Sequence, residues 1–141
     1  MTVFFDTSVL VAAFLADHEH HVPSLAHLAS ASGKSSFCAA HSLAEVYAIL
    51  TRLPGAQRVS PEHALLFVDE VCNRLNLVTL SGPQYRQVAA QAVADHITGG
   101  AIYDALILRC AVKCHAQSIL TWNIRDFRRI APELAHRIRM P

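Results

Sequence analysis

The stretch V-F-F-D-T-S-V-L, residues 3–10, sets the reading of the whole chain. Val3 to Phe5 is a short, apolar, β-favouring run, suited to a strand buried on both faces. Asp6 then closes the strand, and Thr7 to Ala16 reads as a helix. A doubly buried strand running straight into a helix belongs to a parallel sheet. An acid at its carboxyl end sits where such sheets bind ligands.

The same alternation continues outward from that stretch. Pro23 opens a second helix that Gly33 ends, and Ser36 to Ala40 is a second short strand. Ser42 to Leu53 is helical, with Leu43, Val46, Tyr47, Leu50 and Leu53 on one stripe, and Pro54-Gly55 stops it. Pro61 begins a helix that runs to Leu75, and Leu77 to Leu80 is a third strand. Gln84 to His96 and Ala101 to His115 are helices joined by Thr98-Gly99-Gly100. Ser118 to Thr121 is a fourth strand, Asn123 opens a short helical stretch, and Ile138 to Met140 closes as a last strand. The expectation is one α/β domain over residues 1–141, a short central parallel sheet surrounded by helices.

Composition narrows the classes. With 141 residues, 52% hydrophobic and 16% charged, the chain can build a full core and is not disordered. No apolar run reaches the length of a membrane span, and Asp6 interrupts what would be a signal-peptide core, so a cytoplasmic protein is expected. The net charge of +1 hides a split: residues 1–104 hold five Lys/Arg and nine Asp/Glu, whereas residues 105–141 hold seven and two. A basic C-terminal third suits a polyanionic partner or a solvated face. Cys38, Cys72, Cys110 and Cys114 lack the paired spacing of a zinc site and read as buried free thiols. His18-Glu19-His20-His21 reads as a polar loop after the first helix.

Four acids fall at or near strand exits or at a helix start: Asp6, Glu45, Asp104 and Asp126. Each also suits a purely structural role. Asp6 suits an N-cap, Ser42-x-x-Glu45 a capping box, and Asp104 and Asp126 first-turn acids. Asp104 fits that role least well. Its neighbours one turn away are Gly100, Ala101, Ile107 and Leu108, so it faces an apolar stripe with no cation of its own. Two carboxylates about 4 Å apart repel by roughly 4 kcal/mol at an effective dielectric near 20. Converging acids therefore call for a counter-ion or a retained proton. An all-oxygen ligand set selects a hard cation, Mg²⁺ or Mn²⁺, whose natural chemistry at an open sheet edge is phosphoester hydrolysis. Position 8 is Ser, not the second Asp of an aspartyl phosphatase, and no Walker loop, G-x-G-x-x-G or G-x-S-x-G is present.

Together, D-T-S-V-L at 6–10, S-L-A-E-V-Y-A-I-L-T-R-L-P-G at 42–55, G-G-A-I-Y-D-A-L at 99–106 and L-T-W-N-I-R-D-F at 120–127 resemble the PIN-domain ribonucleases. The closest likeness is to the VapC toxins of bacterial type II toxin–antitoxin modules. The resemblance implies a PIN-like three-layer α/β/α fold and a Mg²⁺- or Mn²⁺-dependent endoribonuclease leaving a 5′-phosphate and a 3′-hydroxyl. It implies Asp6 and Asp104 as principal metal ligands, with Glu45 and Asp126 completing the site. Ser8 and Thr121 correspond to pocket-lining hydroxyls. Asn123 stands where many relatives carry Asp and shares the fourth position with Asp126. Arg52, Arg125, Arg128 and Arg129 are candidates for RNA phosphate contacts. The implied partners are a structured RNA (tRNA or rRNA), a cognate antitoxin and a second copy of the chain. Surplus apolar positions on the helices at 42–53 and 61–75 offer a surface for the last two. The alternatives are a PIN-fold module that binds RNA or a partner without cutting, and a metal-dependent hydrolase of DNA or small phosphoesters.

Overall fold

A computed structural model describes residues 1–141. Five strands are present: β1 (Val3–Phe5), β2 (Ser36–Ala39), β3 (Asn76–Val78), β4 (Ser118–Leu120) and β5 (Ile138–Arg139). They form one parallel sheet in the order β3-β2-β1-β4-β5. Seven helices connect them: α1 (Thr7–Phe14), α2 (His21–Ala29), α3 (Ala40–Thr51), α4 (Pro61–Arg74), α5 (Gly82–Ala94), α6 (Ala101–Lys113) and α7 (Ile124–Ile130).

Strand β1 lies at the centre, and its side chains alternate between two cores. Phe5 packs with Val9, Leu10, Val46, Leu50 and Val71 beneath α1 to α4. Phe4 packs with Ile107, Ala111, Ile119 and Phe127 beneath α6 and α7. In β4, Leu120 and Ile119 divide the same way. This two-sided burial makes the three-layer sandwich, and it is why β1 reads as an unbroken apolar run.

The chain builds leftward from β1 to β2 and β3, then crosses back to add β4 and β5 on the other side. The strand order thus reverses between β1 and β4, and the crevice at their carboxyl ends is where an open α/β sheet takes its ligand. Asp6 and Thr121 are the first residues past those two strands.

Several boundaries differ from the sequence reading. Helix α1 ends at Phe14 and α2 starts at His21, so Pro23 is its third residue and Gly33 lies in a later turn. Helices α5 and α6 stop at Ala94 and Lys113 because His96 and His115 adopt left-handed backbone (φ 57° and 56°). There Ile97 N bonds Ala92 O and Ala116 N bonds Ala111 O, a helix-closing pattern usually built on glycine. Strand β3 is Asn76–Val78, shifted toward the N-terminus, and Asn76 Nδ2 donates to Ser36 O of the neighbouring strand. All four cysteines are free, but Cys72 is exposed and Cys114 half-buried. Cys72 falls on the solvent stripe of α4, next to buried Val71. No helix is long and apolar enough to cross a membrane.

Candidate active site

Asp6 is 2% exposed. It caps α1, accepting from Ser8 N at 3.4 Å, so its capping role and its place in the cluster are fulfilled by one side chain. Two hydroxyls donate to the same oxygen, Oδ2: Ser8 Oγ at 2.7 Å and Thr121 Oγ1 at 2.8 Å. Each hydroxyl is itself aimed by a backbone amide of the β4–α7 loop. Trp122 N donates to Ser8 Oγ at 3.0 Å, and Asn123 N donates to Thr121 Oγ1 at 3.0 Å. Burial raises the Asp6 carboxyl above the usual aspartate range, and the Ser8 and Thr121 hydrogen bonds act against it without cancelling it.

Glu45 arrives on α3. The capping box read for Ser42-x-x-Glu45 does not form, because α3 starts at Ala40 with Ala39 as its cap. Ser42 is instead buried inside the helix, 2.8 Å from Thr7 Oγ1, and Thr7 donates to Glu45 Oε1 at 3.0 Å. Successive residues of a helix point about 100° apart. Ser8 therefore serves Asp6 while Thr7 serves Glu45. Thr7 was legible as one of two hydroxyls following Asp6, and the sequence reading passed over it. His41, one turn before Glu45, lies 4.0 Å from Oε1 and stacks on Tyr103 of α6 at 5.4 Å between ring centroids.

Asp104 lies in the first turn of α6, half-buried. Its carboxyl is pushed up to about 6, first by burial and then by the charges of Asp6, Glu45 and Asp126, with Arg129 pulling the other way. Asp6, Glu45 and Asp126 thus all act on Asp104 through their charge. Arg109 points away to Gln87 Oε1. Asp104 does have a cation from its own chain, which its helical neighbours did not suggest: Arg129 acts on it. That arginine is divided, its Nη2 lying 3.5 Å from Asp126 Oδ1.

Asp126 is exposed on α7, and Asn123 caps that helix through its backbone only. Both line an open cleft of about 880 Å³ together with Trp122, Arg125, Arg128 and Arg129. Arg128 is tied to Ile138 O at 2.8 Å, anchoring β5. Arg52 caps the far end of α3, about 10 Å from Glu45 along the helix axis at 1.5 Å per residue. It therefore stands apart from the acids, because α3 runs away from the carboxyl edge.

The donor set is oxygen-only, as a hard cation requires. No three His, Cys, Asp or Glu side chains close into a ready coordination group. The fit to Mg²⁺ rests on donor type alone: that ion takes carboxylate oxygens, with water and phosphate oxygens at its other positions.

Residues 3–132 match the model of the PIN domain. The chain is 33% identical over 120 residues to Ribonuclease VapC40 of Mycobacterium tuberculosis, covering 85% of each. It is 34% identical over 113 residues to Ribonuclease VapC27 of the same organism, covering 79% of this chain and 78% of the relative. Among solved structures, VapBC2 from Rickettsia felis bound to a promoter DNA fragment aligns with a TM-score of 0.66 at 19% identity, over 100% of this chain and 99% of that one. FitAB bound to a DNA fragment aligns at 0.64 and 17%, over 92% and 90%. Sheet order, the place of the acids at the switch in strand order, and similarity along most of the sequence agree: the chain belongs to the PIN domain family.

Proposed function

We propose that the protein is a metal-dependent endoribonuclease of the VapC type, the toxin partner of an antitoxin. The observation that carries this is the coupling of Asp104 on α6 to the charges of Asp6 after β1, Glu45 on α3 and Asp126 on α7. Their mutual repulsion has a chemical use when a cation and a phosphate complete the site. Relatives named as ribonucleases, at 33–34% identity over most of the chain, supply the substrate class.

Asp6 and Asp104 are the residues that would hold Mg²⁺ or Mn²⁺, with Glu45 and Asp126 completing the set or orienting water. The bound ion would offset phosphate charge, favour a nucleophilic water and stabilise charge developing in the in-line displacement. The chain's own part is positional. Ser8 and Thr121 fix the Asp6 carboxylate, and Thr7 fixes Glu45. Burial and the neighbouring acids raise the Asp104 carboxyl to about 6, and a bound cation would favour its charged form. Arg125 and Arg129, exposed in the cleft beside Asp126, suit phosphate contacts that place RNA without reading its sequence. Asn123 lends the fourth position a neutral oxygen beside charged Asp126.

A structured RNA, tRNA or rRNA, is the proposed substrate. An antitoxin and a second copy of the chain are the proposed partners. Exposed Tyr47 on α3 and Leu65 and Leu66 on α4, the last 65% exposed, leave apolar surface for such docking. The deciding experiment incubates the purified chain and Asp104→Ala with total cellular RNA in Mg²⁺, Mn²⁺ or EDTA, and maps new 5′ ends. A discrete metal-dependent cut absent from the variant is expected. RNA binding without any cut would make the protein a binding module. Equal cleavage of DNA of the same sequence would broaden the substrate, since the 2′-hydroxyl is the readable difference.

A further inference from the structure

Trp122 is the only tryptophan, and its own backbone amide is one of the two that aim the hydroxyls at Asp6, the other being that of Asn123. Its indole is held on two sides. His20 stacks on it with ring centroids 3.7 Å apart and planes 7° from parallel. Its Nε1 donates to Ser24 Oγ at 2.8 Å, and Ser24 is fully buried in α2. His20 is fixed in turn by the α1–α2 connection. Its own backbone N donates to His18 Nδ1 at 3.0 Å, and the next residue, His21, donates from Nδ1 to Ala12 O at 2.9 Å. The His18–His21 run is therefore not an idle polar loop. It grips α1 from below and Trp122 from the side.

We infer that Trp122, clamped by His20 and Ser24, is a positioning residue that holds the β4–α7 loop so that Ser8 and Thr121 present Asp6 in one orientation. The inference rests on the nuclease reading of the site. The path is continuous: His20 ring, Trp122 ring, Trp122 N–H, Ser8 hydroxyl, Asp6 Oδ2. Beyond the stack, the indole is joined covalently to its backbone N–H, and the two remaining links are hydrogen bonds of 3.0 and 2.7 Å. If the loop moves, both hydroxyls lose their aim together, because the amides of Trp122 and Asn123 are adjacent. Partners that orient a metal's ligands are typically worth 10–100-fold in metal affinity or activity. The aromatic pair Phe14–Phe67, 4.8 Å apart, packs in the same layer but makes no hydrogen bond to this path, and it serves as the comparison.

The test uses the full chain and the variants Trp122→Ala, Trp122→Phe, His20→Ala, His20→Phe and Phe67→Leu. Mn²⁺ binding is followed by electron paramagnetic resonance, RNA cleavage by kcat and KM, and folding by Tm. Trp122→Ala should weaken Mn²⁺ binding and lower kcat by about tenfold or more, with KM for RNA within about twofold. His20→Ala should follow in the same direction, less strongly, and His20→Phe should recover most of the loss by restoring the stack. Trp122→Phe should fall between, keeping a ring for His20 but losing the donor to Ser24. Phe67→Leu should lower Tm without changing Mn²⁺ affinity. Tryptophan emission reports the stack independently of metal and RNA, changing in His20→Ala and less in His20→Phe. Altered emission with wild-type Mn²⁺ affinity and kcat would overturn the inference, leaving the clamp a stability device. A rise in KM alone would also overturn it, making Trp122 an RNA contact. Wild-type protein that neither binds Mn²⁺ nor cuts RNA would overturn the nuclease reading, and the positioning role would fall with it.

Discussion

The two halves of the acidic site are built on opposite principles. On the β1/β4 side, Asp6 is buried and meets donors from Ser8 and Thr121, each steered by a backbone amide. On the α6/α7 side, Asp104 and Asp126 lean on like charges, and Arg129 is shared between them. The first half is a fixed jaw whose geometry the chain supplies. The second is charged and open, with Arg129 its one cation. A site with both halves rigid and neutralised from within would have no use for an external cation. One with both halves open would have no preferred geometry for it.

The sharpest way to break this contrast is to neutralise one acid in each jaw. Asp6→Asn and Asp104→Asn should each reduce metal-dependent RNA cleavage by more than about 100-fold, beyond the usual effect of outer partners. Their Tm values should diverge. In metal-free buffer, Asp104→Asn should raise Tm because it removes repulsion, whereas Asp6→Asn disturbs a set of donors arranged for an acceptor.

Next in size is Thr121→Val. It removes the donor to Asp6 and the acceptor for Asn123 N, with the Thr121 side chain itself fully buried. Denaturant unfolding should show a loss of about 1–3 kcal/mol, the cost of leaving buried polar groups unpaired.

The pH dependence separates the jaws again. Folded Asp104 holds its proton to about pH 6, whereas an ordinary aspartate titrates about two units lower. Between about pH 4 and 6 the folded state therefore binds more protons than the unfolded one, so metal-free stability falls as pH rises through that window. Raised Asp6 adds a slope of the same sign. Asp104→Asn should flatten part of it. In the wild type, Mg²⁺ should raise Tm more above pH 6 than below, because bound cation requires the charged carboxylates. Equal Mg²⁺ stabilisation at pH 5 and pH 7 would show that Asp104 is not a ligand.

The smallest effects belong to the arginines, and they sort by contact. Arg125→Ala should raise KM for RNA a few-fold and reduce the salt slope by about one, with kcat unchanged. Arg128→Ala should instead cost about 1 kcal/mol of stability, through the lost bond to Ile138 O. Arg52→Ala should do neither, because the residue lies at the wrong end of α3.

Much of this was readable in the linear chain because its signals are local. Apolar runs of three to five residues between periodic helices are enough for a parallel sheet. An acid after a strand falls at its carboxyl edge whatever the rest of the chain does. The apolar neighbours of Asp104 already marked it as a half-buried carboxylate, although Arg129, 25 positions on, was not visible as its cation. Helix ends were less legible, because His96 and His115 close α5 and α6 in a conformation that composition assigns to glycine. The capping box at Ser42 failed for a related reason. A motif of two residues fits many contexts, and burial against Thr7 decided which one applied.

The sequence by itself determined the elements, their order and the four acids, since each follows from periodicity or from position beside a strand. Only the tertiary structure decided what those acids do to one another. Asp6 and Thr121 are 115 positions apart in the chain and 2.8 Å apart in space. The pairing of β1 with β4 brings them there, as the crossing to α3 brings Glu45 to Thr7. The grip of His20 on Trp122 belongs to the same class. Hydrogen bonds, stacking and Coulomb repulsion act over a few ångströms of space, and a one-dimensional spacing carries no record of that distance.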